Sequence, residues 1–129
     1  MEILVAVDGS ECSFRALETA ADTAVRSDGS LHVVHFTPHE TDETAALVER
    51  VEETLSDHGL DADPEVHTEI RTIRFPERVG KDVLEEARDR DVDRIVVGHH
   101  GSGLVGRTVF GSTAETVVRG AERSVTVVP

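Results

Sequence analysis

The residues best suited to chemistry sit late in the chain, where the apolar run Arg94-Ile95-Val96-Val97 meets Gly98-His99-His100-Gly101 and, nine residues on, Gly111-Ser112-Thr113. A β-branched run ending in glycine reads as a buried strand, and residues 111–120 read as a helix whose first turn carries Ser112 and Thr113. A strand, a glycine loop and a helix start make a phosphate cradle. Glycine lets backbone N–H groups approach an anion with no Cβ in the way, and the positive end of the helix dipole favours negative charge. The loop has no Gly-Lys-Ser/Thr, and the one lysine, Lys81, lies elsewhere. It is therefore not a Walker A loop, and phosphate charge falls to backbone, hydroxyls, Arg107 and a metal ion.

Other reactive side chains are more scattered. Asp8 closes the apolar run Ile3-Leu-Val-Ala-Val7, where a carboxylate can take turn N–H groups, cap the next helix or bind a ligand. His32 and His35 are three apart on a strand and so point to opposite faces, which argues against a shared metal. Cys12, near a helix start, reads as a packed thiol. There is no Gly-x-Ser-x-Gly, His-Glu-x-x-His or Cys-x-x-Cys, so no catalytic constellation is visible.

Gly-x2-Gly-x9-Gly-Ser/Thr after a strand, with the opening Ile3 to Ser10, the Val34-His35-Phe36 strand end, the Asp93 to Gly98 run and the closing Ser124-Val-Thr-Val-Val128, resembles the universal stress protein family in its ATP-binding subclass. The likeness extends over nearly the whole chain. Two places depart from the family pattern: His99-His100 stand where a small or polar residue followed by Arg or His is usual, and Phe36 where a smaller aliphatic often lines the base pocket. The resemblance implies an α/β three-layer sandwich, a five-stranded parallel sheet of order 3-2-1-4-5 with two helices on each face. In that order the reversal falls between strands one and four, so Asp8 and Gly98 converge on one crevice.

By family similarity, the backbone at Ala6 and Val7, the Asp8 carboxylate and the end of strand two at Phe36 would hold base and ribose. Gly98, His100, Gly101, Gly111, Ser112 and Thr113 would hold the phosphates of ATP, accompanied by Mg or Mn. The family likeness also implies a homodimer through the strand Val125 to Val128. Three classes stay open: an ATP-binding stress-response regulatory module, a nucleotide-free dimeric interaction protein of the same fold, and a flavin- or nucleotide-dependent enzyme of related architecture. Any ATP hydrolysis is expected to be slow, since no residue stands out as a base for water.

Composition bounds the class independently. A chain of 129 residues is expected to form one domain, 1–129, burying roughly two-thirds of the surface its unfolded form exposes. No stretch approaches the ~20 apolar residues that span a bilayer, and Met1-Glu2 leads directly into a strand, so a cytoplasmic protein is expected. Its net charge of −13, from 11 Asp and 15 Glu against 12 Arg and one Lys, repels nucleic acid and anionic membranes. The acids are dispersed, and with no Trp or Tyr and almost no lysine the composition fits a salt-rich, halophilic cytoplasm whose ions screen self-repulsion.

The elements that must position the site alternate. Strand one is Ile3 to Val7; helix one runs from about Ser10, its N-cap, to Arg26, with Phe14, Leu17, Ala21 and Val25 inward and Gly29 as stop. Strand two is Leu31 to Phe36, and helix two spans about Asp42 to Asp57 with Ala46, Leu47, Val51 and Leu55 inward. Strand three, about Val66 to Ile73, alternates as an edge strand would. Helix three, about Pro76 to Arg90, turns Val79, Val83, Leu84 and Ala87 inward. Strand four, helix four and strand five complete a βα pattern.

Overall fold

The computed structural model describes residues 1–37, 39–61, 65–67, 77–99 and 111–129. The strands are β1 (Glu2–Ala6), β2 (Ser30–Phe36), β3 (Glu65–His67), β4 (Arg94–Gly98) and β5 (Ser124–Val128). Between them run α1 (Glu11–Ser27), α2 (Asp42–Asp57), α3 (Glu77–Asp89) and α4 (Ser112–Gly120). The strands form one sheet of order β3-β2-β1-β4-β5, and every pairing is parallel. β1 is central, with Ile3, Leu4 and Val5 all fully buried. That double-sided burial explains why β1 and β4 read as unbroken apolar runs rather than alternating ones.

Side-chain parity then sorts the core into two layers. Ile3, Val5, Val7, Leu31 and Val33 pack with residues of α1 and α2; Leu4, Val34, Ile95 and Val97 pack with residues of α3 and α4. The chain changes face between the β1 and β4 connections, which leaves a crevice at the C-terminal ends of those two strands. Among the described residues no helix is long and apolar enough to cross a membrane.

Two inward assignments need correction. Val25 is 51% exposed, because α1 packs through Phe14, Leu17, Ala21 and Ala24, flanked by Ala16 and Ala20; at 100° per residue the stripe passes through position 24 and leaves 25 on the rim. In α2 the buried positions are Thr44, Leu47, Val51 and Leu55, and Ala46 is exposed. Nor is Gly29 the residue that stops α1 by going left-handed. Asp28 does so, at φ 51°, while Gly29 lies so close to the Met1 carbonyl that a Cβ there would be 2.3 Å from its oxygen. Strand three beyond His67, where the sequence reading extended it to Ile73, lies outside the described residues.

Candidate functional site

The turn from β1 into α1 is tied by short side chains. After Ala6, Val7 N–H still donates to the Val34 carbonyl at 3.0 Å, then Gly9 takes φ +91°, a conformation that glycine adopts without strain. Asp8 is exposed, and its Oδ1 accepts from Ser10 N–H at 2.9 Å and from Ser10 Oγ at 2.6 Å. Ser10 is the N-cap, its Oγ accepting from Ser13 N–H at 3.2 Å. Ser13 Oγ donates to the Ser10 carbonyl at 2.8 Å and lies 3.2 Å from Asp8 N–H, which donates to it. Asp8 thus joins the cap it precedes while its carboxylate reaches the surface at the strand ends.

β4 arrives against this turn. A Cβ built on Gly98 would lie 2.8 Å from Cys12 Sγ and 3.0 Å from Ser13 N, so only glycine permits that approach. Cys12 itself is buried and free of disulfide. Beyond Gly98, His99 N–H donates to the Val128 carbonyl at 2.7 Å, and the His99 carbonyl accepts from Gly111 N–H at 2.8 Å. The connection from β4 to α4 is therefore pinched shut at its neck, and its two ends lie side by side. Gly111 is the N-cap of α4 and supplies no side-chain cap, so the N–H groups of the first turn, at Ser112, Thr113 and Ala114, have no partner within the helix. Ser112 is exposed and Thr113 half-buried. His100, Gly101 and Arg107 lie outside the described residues.

A cleft of about 620 Å³ opens beside Asp8 on the α1/α2 face. Phe14 and Leu47 supply apolar wall, and His35, Thr37, Asp8 and Arg50 supply polar groups. Arg50 reaches across from α2 with both guanidinium nitrogens on Glu11, at 3.1 and 3.2 Å, its carbon 3.8 Å above the Phe14 ring centroid. That hydrogen-bonded pairing holds the Glu11 carboxyl below its ordinary value and raises the Arg50 guanidinium. His35 Nδ1 lies 2.8 Å from the Val7 carbonyl.

Of the residues expected to contact base and ribose, Ala6, Val7 and Asp8 meet at the strand end. Phe36 does not face the cleft; its side chain packs with the α3/α4 cluster. His35, weighed from sequence only as a metal ligand, and Thr37 and Arg50 were not read as cleft residues, although β2 parity carries the signal: Leu31 and Val33 belong to the α1 face, so His35 must as well. Among the described residues no group of three or more His, Cys, Asp or Glu is arranged to hold a metal ion.

This fold and this convergence of a strand-end carboxylate with a glycine neck define an α/β protein of the universal stress protein type, and the sequence model of the universal stress protein family matches residues 1–129. The chain belongs to that family. A Staphylococcus saprophyticus protein named after the same family is 32% identical, over 98% of this chain and 81% of its own length. Among solved structures, a universal stress protein from Archaeoglobus fulgidus superposes with a TM-score of 0.77 at 23% identity, over 100% of this chain and 98% of that one. The universal stress protein from Archaeoglobus fulgidus in complex with dAMP gives 0.74 at 23% identity with the same coverage.

Proposed function

We propose that this chain is a stress-response regulatory module, one domain over 1–129, that holds an adenine nucleotide, ATP foremost, where β1 and β4 end. The observation that carries the reading is the approach of Gly98 to the first turn of α1, which brings the neck of the β4–α4 connection to the turn that carries Asp8. Ala6, Val7 and Asp8 take base and ribose, with Phe36 contributing through its backbone. Gly98, His100, Gly101, Gly111, Ser112 and Thr113 take the phosphates, and a Mg or Mn ion arrives with ATP. The dAMP complex of the Archaeoglobus fulgidus relative supports nucleotide as the ligand class. Because a carboxylate side chain at Gly101 would fill and oppose the anion's space, Gly101→Asp is expected to weaken Mg-ATP at least tenfold, about 1.4 kcal/mol, with unchanged circular dichroism. Equal affinities in calorimetric titration would sink the phosphate assignment.

The module is read as a homodimer. β5 is the outermost strand, with Val125, Val127 and Val128 only half-buried, and an unpaired edge invites pairing across a two-fold axis. Val127→Lys should sediment as monomer; a monomeric native protein in molar salt would contradict the assembly. The cytoplasm it serves is read as salt-rich, so the melting temperature should climb from dilute to molar salt as the charge of −13 is screened. A fall would reverse that reading.

A further inference from the structure

The two residues that end β2 face opposite ways, and only one of them can read a ligand in the cleft. Phe36 packs into the α3/α4 layer, whereas His35 lines the cleft with Asp8, Phe14 and Leu47. The His35 ring is fixed by its neighbour. A carbonyl oxygen can only accept, so the 2.8 Å contact with the Val7 carbonyl requires the proton on Nδ1. In the neutral ring Nε2 then carries a lone pair, and no described residue donates to it.

Two polar groups of the cleft lining are acceptors too. Thr37 Oγ1 spends its proton on the His39 carbonyl at 3.0 Å, leaving lone pairs, and Asp8 presents a carboxylate. The nearby cation, Arg50, is committed to Glu11 and stacked on Phe14. A volume near 620 Å³ falls within the range of about 300 to 1,000 Å³ usual for small-molecule sites. The cleft therefore offers a flat, largely apolar ring the walls of Phe14 and Leu47 and an acceptor at His35 Nε2.

Resting on the nucleotide reading above, we propose that His35 is the base-selecting residue: its Nε2 lone pair accepts from the exocyclic amino group of a 6-aminopurine and repels the carbonyl oxygen of a 6-oxopurine. Selectivity of this kind is set by a pairing that one base makes and the other forbids. The cleft is open to solvent, so discrimination sits nearer the scale of one hydrogen bond, about tenfold.

The test titrates the full chain with AMP and with IMP at pH 8, above the ordinary imidazole value of about 6.5. The native protein should bind AMP at least tenfold tighter than IMP, and His35→Phe should bring the two affinities together. Because that variant also loses the bond to Val7, a second measurement uses the native protein alone: the ¹⁵N resonance of His35 Nε2 should shift on adding AMP and stay in place with IMP. Equal affinity for AMP and IMP, or an Nε2 resonance that AMP leaves unmoved, overturns the role of His35 and spares the nucleotide reading. Failure of both nucleotides to bind the native protein overturns the two together.

Discussion

The two faces of the sheet are closed in different ways. On the α3/α4 face the helices meet through glycine: a Cβ at Gly80 would lie 2.6 Å from Thr116 Cβ and 3.2 Å from the Thr113 carbonyl oxygen, and one at Gly120 would lie 2.6 Å from Leu84 Cδ1. On the α1/α2 face the outer contacts are long side chains, Arg50 with Glu11 at one end and His58 with Glu18 and Asp22 at the other. A cleft remains between the first of these pairs and the end of β2. One face has no slack, because a packed interior cannot yield a methyl group's width without cost. The other is spanned by charged pairs and carries the cleft, so a ligand can enter there without repacking the core.

The largest effect expected from breaking this contrast is at the closed face. Gly80→Val puts a branched side chain where Thr116 already stands and should cost about 3 kcal/mol of stability in urea unfolding, the upper end for overpacking. A cost below about 1 kcal/mol would mean the α3–α4 seam has the slack we deny it.

Next comes the open face. Asp8→Ala should weaken ATP, ADP and AMP alike by about 1.5 to 3 kcal/mol, as for a hydrogen bond to a charged acceptor, with no growth as phosphates are added. A defect confined to ATP would put Asp8 on the metal ion instead of the nucleoside.

A smaller effect belongs to His58. Its pKa is raised, first by the bond from Nδ1 to the Thr54 carbonyl at 2.7 Å and then by Glu18 and Asp22. A raised folded value means that the stabilisation is complete below the unfolded imidazole pKa of about 6.5 and is lost as pH climbs through the folded one. The melting temperature should thus decline above about pH 6.5 more steeply than in His58→Gln. Identical pH profiles would show that the second tie between α1 and α2 carries no charge.

The smallest shift is expected for Arg50→Ala. Both partners of that pair are largely exposed, and exposed ion pairs contribute little, so the melting temperature should scarcely move. A loss approaching that of Gly80→Val would make Arg50 a structural clamp and erase the contrast between the faces.

Much of this architecture is legible in the sequence because the signals are local. The runs Ile3 to Val7 and Ile95 to Val97 could only be strands buried on both sides, and α2 keeps both expected ends, Asp42 and Asp57, with an acidic first turn and Gly59 in the left-handed region just beyond. Packing was less legible. Val25 and Ala46 look as apolar as their neighbours, and only the helix azimuth against the sheet decides that Ala24 and Thr44 go inside. Gly80, a weak helix residue on propensity alone, gives no hint that it is the contact point of two helices. The strand-end part of the site, Asp8 with Gly98, follows from the strand order; the cleft does not, since it depends on β2 parity and on a carbonyl fixing a histidine tautomer.

The division between faces is tested most directly by hydrogen exchange of the full chain, with and without Mg-ATP, at early times when local opening dominates. Slowed exchange is predicted for the backbone from Val7 to Phe14, for His35 to Leu47 beside the cleft, and for the first turn of α4 at Ser112 to Ala114. The α3–α4 seam, Val79 to Arg88, should be unaffected. Protection of that seam, with none around Asp8 and Ser112, would contradict a nucleotide held where β1 and β4 end.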